Sequence, residues 1–228
     1  LVSCNAKLKS AQNIIKTELS VVYSGNVKDS FEIYISTPLA FDSLESYDVV
    51  YYCDANIKSG KKIREMLNSG KYTKKANATI FVGIGHIGKY RKLRRRDLVI
   101  PSISNGDTSG VSGDFGQAEH FYRFIKAELV PAINKKFRTN TANNSIIGHS
   151  FGGLFVFYCL FKNESVFRHY YALSPSLWIN KYGIYQFNKL AEESSTAAHT
   201  LYFSVGGLEV INFIKPGADK MKSFFDRK

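Results

Sequence analysis

Five short runs of this 228-residue chain crowd β-branched and aromatic residues together without regular polar alternation: YDVVYYC at 47–53, ATIFVGI at 78–84, NSIIGHS at 144–150, RHYYALS at 168–174 and HTLYFSV at 199–205. A strand with one wet face alternates apolar and polar residues, so dense runs of this kind belong to strands covered on both faces. Between them the apolar residues recur at three and four, most clearly over 118–138 with Phe121, Phe124, Ile125, Leu129, Ala132 and Ile133. That spacing predicts a helix, which Pro131 should bend or interrupt. Further helices are expected at 57–68, 153–162, 183–193 and 216–226. Strand and helix in alternation imply an α/β fold with a mainly parallel central sheet and helices on both faces. Near the N-terminus Leu19, Val21 and Tyr23, and then Phe31, Ile33 and Ile35, alternate with other residues over 17–23 and 30–36. This period of two predicts an antiparallel pair extending one edge, with that face buried.

No internal repeat or linker divides the chain, so residues 1–16 are expected to be an N-terminal tail and 17–228 a single domain. The segment 85–117 holds six glycines and no helical or strand period, and is expected to form the rim of a site. Thirty-one Lys and Arg against nineteen Asp and Glu give a net charge of +12, which favours anionic ligands or surfaces. Nucleic acid, anionic lipid head groups, acidic glycans and anionic metal complexes share that sign. The best basic patch is KLRRRD at 92–97, but no zinc-finger, helix-turn-helix or RNA-binding signature accompanies it, so a nucleic-acid partner is not expected. No run of 18 apolar residues is present, and no transmembrane segment is expected.

Three cysteines make no disulfide framework and no metal-ligand spacing; Cys53 and Cys159 read as small core residues. The opening Leu1-Val2-Ser3-Cys4-Asn5 has the form of the end of a bacterial lipoprotein signal, in which Cys4 is the acylated residue. It predicts lipidation at Cys4, with the tail as an anchor region, and a place in the bacterial periplasm or cell envelope. An ordinary terminus on a cytoplasmic protein is the other reading.

Gly148-His149-Ser150-Phe151-Gly152 fits G-x-S-x-G, preceded by the strand-like NSII and followed by the helix-like GLFVFYCLF. Small residues are needed around a serine on a cramped strand-to-helix turn that lifts Oγ out of the sheet, so Ser150 is the candidate nucleophile. The oxyanion formed on attack needs backbone N–H donors, one from the residue after the serine, Phe151, and one from the loop after an earlier strand. Gly85 or His86, in FVGIGHIG, is the candidate for the second. The spacing Gly83-Ile84-Gly85-His86-Ile87-Gly88 is not read as a dinucleotide signature, because a charged loop and not a helix is expected after it. A serine hydroxyl needs a base, usually histidine, and a carboxylate to orient it. Of the five histidines, His149 adjoins the serine, His86 belongs to the oxyanion loop, His120 and His169 precede helix and strand cores, and His199 opens a strand. Glu209, beyond Gly206-Gly207 at the end of a strand, is the candidate acid; a solvated loop glutamate is the other reading. No histidine follows it through Lys228.

These residues, together with YDVVYYCDAN at 47–56, IFVGIGHIG at 80–88, RRRDLVIPS at 94–102, GQAEHFYRFIKAELVPAI at 116–133 and YALSPSLWIN at 171–180, resemble one family over nearly the whole chain. It is the esterase family of α/β-hydrolases that includes esterase D-like, feruloyl and acetylxylan esterases and, above all, the branch that hydrolyses catecholate siderophores such as enterobactin. The resemblance implies an α/β-hydrolase fold and a serine hydrolase that cleaves carboxylic esters through an acyl-enzyme, with no metal and no cofactor. It implies Ser150 as nucleophile, Phe151 with the GIG loop as oxyanion hole and Glu209 as acid. Family members continue through a helix and a last strand to the catalytic histidine, so the resemblance also implies a C-terminally truncated chain with its base beyond residue 228. A noncatalytic esterase-like binding domain is the alternative, and a carbohydrate-linked acetyl or feruloyl esterase another. The implied partner is a small-molecule ester, anionic if it is an iron-catecholate complex. Trp178 then reads as a substrate-facing aromatic or a packing anchor, and Arg96 as a contact to an anionic substrate or a partner of Asp97 or Asp54. Asp54 is expected to organise its turn.

Overall fold

The computed structural model describes residues 15–69, 78–101, 115–164, 166–187, 199–207, 209 and 214–226. Its strands are β1 (Ile15–Ser24), β2 (Asp29–Pro38), β3 (Asp48–Cys53), β4 (Thr79–His86), β5 (Ser145–His149), β6 (His169–Leu173) and β7 (Thr200–Ser204). They form one sheet in the order β1-β2-β4-β3-β5-β6-β7. The pairs β1–β2 and β2–β4 are antiparallel, and every pair from β4 to β7 is parallel. All five dense apolar runs are therefore the parallel strands. The helices are α1 (Lys58–Asn68), α2 (Tyr90–Leu98), α3 (Ala118–Phe124), α4 (Val130–Lys136), α5 (Phe151–Phe161) and α6 (Ile214–Phe225), and they flank the sheet on both faces as in α/β-hydrolases.

The core is built around α5, in which every residue from Gly152 to Phe161 is buried. A helix apolar on all sides belongs inside a protein, and here its rings join the layers. Phe155 meets Phe121 of α3 with ring centroids 5.1 Å apart, Phe157 meets Phe203 of β7 at 5.8 Å, and Phe161 meets Phe224 of α6 at 5.8 Å. Phe31 of β2 stacks on Phe124 at 4.7 Å.

Between α3 and α4 the chain forms a π-turn, Ile125–Leu129, in which the Val130 N–H donates to the Ile125 carbonyl. Pro131 has no N–H to continue an α-helical ladder, and the wider turn just before it takes up the break without ending the rod. The helix expected over 153–162 begins two residues earlier, directly after Ser150. Of 183–193, Gly183–Phe187 is a 3₁₀ turn and 188–193 lies outside the described residues.

Two expectations are corrected. The charged stretch after Gly88 is the helix α2 and not a loop; its sequence YRKLRRRDL has only Leu93 and Leu98 as aliphatic residues, so it carries no apolar stripe by which to be recognised. The face of β1 is also reversed. Phe31, Ile33 and Ile35 of β2 are buried, but Leu19, Val21 and Tyr23 are exposed. The register sets Val22 opposite Phe31, Ser20 opposite Ile33 and Glu18 opposite Ile35, which turns Leu19, Val21 and Tyr23 away from the core. A hairpin turn fixes that register: the Ser24 carbonyl accepts from the Lys28 N–H at 2.8 Å, and its hydroxyl accepts from the Val27 N–H at 3.1 Å. Because side chains alternate strictly along a strand, a shift of one residue would exchange the two faces.

Ile33→Ala is therefore expected to cost about 2–5 kcal/mol of unfolding free energy in urea titrations, as a buried large-to-small change. Val21→Thr, on the exposed face, should stay within about 0.5 kcal/mol of wild type.

Candidate active site

β5 ends at His149 and α5 begins at Phe151, so Ser150 alone makes the turn, with φ 59° and ψ −115°. A positive φ on a non-glycine residue is strained and persists only where its surroundings impose it. They do so through three backbone bonds. The Ser150 N–H donates to the Leu173 carbonyl at 2.9 Å, and the Ser150 carbonyl accepts from Leu154 at 3.0 Å and Ser176 at 3.1 Å. The neighbouring glycines are required by crowding: a Cβ on Gly148 would stand 2.2 Å from the Gly152 carbonyl oxygen, and one on Gly153 would stand 3.0 Å from Pro175 Cα. Ser150 Oγ lies 3.2 Å from Ser176 Oγ. Phe151, as the first residue of α5, has an N–H with no acceptor inside the helix, and the helix dipole makes that end attractive to negative charge.

Gly85 and His86 are the last residues of β4, and the chain leaves the strand only at Ile87. The spacing Gly83-x-Gly85-x-x-Gly88 is followed by a helix, contrary to expectation, yet its first two glycines lie within the ladder and not in a strand-to-helix turn. Cross-strand crowding accounts for them. A Cβ on Gly83 would stand 2.3 Å from the Tyr52 ring, and one on Gly85 would stand 2.8 Å from the Asn56 amide. The same Asn56 amide donates to the His86 carbonyl at 2.7 Å. The His86 ring is buried, with Nε2 3.0 Å from Asp97 Oδ2. Asp97 also accepts from Arg96, whose Nε reaches Oδ1 at 2.7 Å and whose Nη2 reaches Oδ2 at 2.8 Å, while Arg96 Nη1 donates to Asp29 at 2.8 Å. Arg96 thus follows the pairing reading, with Asp97 and not Asp54.

Asp54 pairs instead with Arg94, which the sequence did not single out: Nε to Oδ1 is 2.5 Å and Nη2 to Oδ2 is 2.8 Å. No local signal in the sequence marked Arg94, because its partner lies 40 residues away in the chain. Asp54 is buried and has φ 62°, and its carbonyl accepts from the Ile57 N–H, so it does organise its turn. Cys53 and Cys159 are buried free thiols, and burial pushes both thiol pKa values up, away from the thiolate a nucleophile requires.

Beyond β7, the Glu209 N–H donates to the Gly206 carbonyl at 3.0 Å, and its Oε1 accepts from the Ser174 hydroxyl. Its other oxygen, Oε2, is buried with no hydrogen-bond partner among the described residues. Glu209 is therefore held against the carboxyl edge of the sheet by Ser174, the residue after Leu173, whose carbonyl holds Ser150. Trp178 is 38% exposed, two residues beyond Ser176. The roles of Ser174 and Ser176 were not foreseen; their place directly after a parallel strand beside β5 was the available signal.

No imidazole hydrogen-bonds to Ser150 among the described residues. His86 is engaged by Asp97, His120 Nδ1 lies 3.1 Å from the Asn26 carbonyl, and His169 Nε2 lies 2.7 Å from Asn143. His169 begins β6 and His199 immediately precedes β7, both at the edge of the sheet opposite to Ser150. Cys4 lies outside the described residues. Among those described, no group of His, Cys, Asp and Glu could hold a metal ion, and no helix is long and apolar enough to cross a membrane.

The family model described as "Putative esterase" matches residues 24–209. The chain is 31% identical over 185 residues to ferri-bacillibactin esterase BesA of Bacillus subtilis, covering 78% of this chain and 64% of that protein. It is 28% identical over 180 residues to the siderophore triacetylfusarinine C esterase of Aspergillus fumigatus, covering 75% and 60%. The chain thus spans less than two thirds of the length of these two curated relatives. The crystal structure of the BES protein from Bacillus cereus matches with a TM-score of 0.76 at 26% identity, over 92% of this chain and 83% of that one.

The crowding at the turn predicts that Gly148→Ala lowers stability by at least about 1–3 kcal/mol in thermal unfolding, the ordinary cost of overpacking. Gly207→Ala, where an added Cβ would meet nothing within 4 Å, should change it by less than about 0.5 kcal/mol.

Proposed function

This chain belongs to the esterase family of α/β-hydrolases, close to siderophore esterases, and from that premise we propose that the protein hydrolyses carboxylic esters with Ser150 as its nucleophile. The observation that carries the proposal is the strained, triply anchored Ser150 at the mouth of a buried helix. Ser150 Oγ attacks the ester carbonyl, and the oxyanion is held by the Phe151 N–H together with a backbone donor at the end of β4, at Gly85 or His86. The alcohol leaves with the proton taken from Ser150, and water then attacks the acyl-enzyme, its proton passing through the same base back to Ser150 Oγ as the acid is released.

The proton from Ser150 goes to a histidine. None of the five imidazoles described meets the serine, so the proposal assigns that base to a part of the whole protein outside these 228 residues. Glu209 is its orienting carboxylate: Oε1 is fixed by Ser174, and Oε2 is a buried acceptor suited to an imidazole N–H. A buried carboxylate oxygen without a donor is costly, which favours this role over a loop glutamate exposed to water.

For the substrate, the proposal names an anionic ester of the iron-catecholate siderophore class. One relative is described as a ferri-bacillibactin esterase and another as a siderophore triacetylfusarinine C esterase, and Lys89, Arg91 and Arg95 stand exposed just beyond the proposed oxyanion strand. Arg96 is committed to two carboxylates, so these exposed cations, with Trp178 as a stacking surface, are the proposed contacts.

The test is the intact mass of the full-length protein and of its Ser150→Ala variant after treatment with a fluorophosphonate, together with hydrolysis of a ferric catecholate triester. A single adduct on wild type alone, and hydrolysis at least about 10⁴-fold faster than in the variant, are expected. A full-length wild type that takes no adduct would be a noncatalytic esterase-like binding domain.

A further inference from the structure

The Asp54–Arg94 pair has no place in the serine, base and acid scheme, yet it is built against the elbow. Asp54 closes the turn after β3 at φ 62°, with its carboxylate almost wholly buried. Both its oxygens are taken by the fork of Arg94, from α2. A Cβ on Gly152 would stand 3.7 Å from Asp54 Oδ2, so the carboxylate lies beside the first turn of α5. The Arg94 guanidinium sits 5.5 Å from the centroid of the Phe151 ring. The pair therefore flanks the residue whose N–H is the proposed oxyanion donor.

An anion in this position has two opposite effects. It complements the positive end of α5 and helps to hold the turn. Left without a partner, it would also repel the negative charge that develops on the ester oxygen, in a site too dry to screen it. Arg94 answers both effects: its planar fork fixes the carboxylate in one orientation, and its charge cancels the anion.

We propose that Asp54 and Arg94 are positioning residues for ester hydrolysis, which clamp the start of α5 so that the Phe151 N–H stays aimed at the oxyanion while no net negative charge faces it. The proposal rests on the reading of Ser150 as nucleophile. It makes Arg94 more important than its partner for kcat and for labelling, and not for stability alone, which is where a purely structural ion pair would differ.

The experiment measures kcat and KM for a soluble, uncharged ester, and the rate of fluorophosphonate labelling, in the full-length protein and four variants, with thermal unfolding alongside. Arg94→Ala, which strands the carboxylate, is expected to lower kcat and the labelling rate about 10- to 100-fold with KM within about threefold. Arg94→Lys keeps the charge but not the fork, and should lose less than about tenfold. Asp54→Asn, which weakens the clamp but leaves a cation beside the oxyanion, should lose less than Arg94→Ala, about three- to tenfold. The double variant Arg94→Ala with Asp54→Asn should regain at least about threefold over Arg94→Ala, since the stranded anion is gone.

A double variant no better than Arg94→Ala, or a loss in Asp54→Asn as deep as in Arg94→Ala, overturns the proposal. So does a rise in KM at unchanged kcat, which would make Arg94 a substrate contact. If Arg94→Ala does not fold, Arg94→Lys and Asp54→Asn decide the matter, and a loss beyond about tenfold in Asp54→Asn overturns it. Wild type that is neither labelled nor active overturns the Ser150 reading and this one together, and is told apart because it needs no variant.

Discussion

The carbonyl of Gly152 comes so close to Gly148 that no side chain fits between the end of β5 and the start of α5. This contact forces the chain to reverse within one residue, and Ser150 takes the strained backbone angles that result. The strain is held by neighbours that also build the site: Leu173 ends the adjacent strand, and Ser176 follows Pro175, whose Cα presses against Gly153. Because α5 is buried along almost its whole length, the elbow cannot relax by letting the helix drift. On the proposed reading of Ser150 as nucleophile, a serine held in this way loses little freedom on reaching the reactive geometry.

A second set of contacts is ionic. The helix α2 has almost no aliphatic stripe, and its buried face is organised by Arg94 on Asp54 and by Arg96 on Asp97 and Asp29, with His86 completing the cluster. Buried ion pairs repay their desolvation only when their hydrogen bonds are well satisfied, and both arginines here use their forks. Their value lies in orientation more than in stability. They tie one helix to β2, β3 and β4 at the points where the chain leaves β3 and β4 for the site.

The candidate site residues gather at the carboxyl edge of the parallel strands, where loops leave the sheet side by side. Ser150 follows β5, Ser174 and Ser176 follow β6, and Glu209 follows β7. Neighbouring parallel strands deliver these residues to one place although they are distant in the chain. The histidines at 169 and 199 lie at the other edge for the same reason: they come before their strands and not after them.

How much of this was legible beforehand depended on whether the information was local. Dense apolar runs determine strands covered on both faces, and glycines around a serine between a strand run and a helix run determine an elbow, because both follow from short-range sterics and burial. The sequence by itself therefore determined the α/β layering, the parallel strands, and the turn at Ser150 between a strand and a helix that opens at Phe151, with Glu209 placed beyond the end of a strand. Tertiary structure alone decided which face of β1 turns inward, since a period of two leaves register open until Phe31, Ile33 and Ile35 claim the core. It alone decided that KLRRRD is part of a helix with Arg94 and Arg96 turned to different carboxylates, because charge partners 40 and 67 residues away leave no trace in a local pattern. It also decided that Glu209 has one oxygen fixed by Ser174 and the other buried without a partner among the described residues, a consequence of where two strands end in space and not of any spacing along the chain.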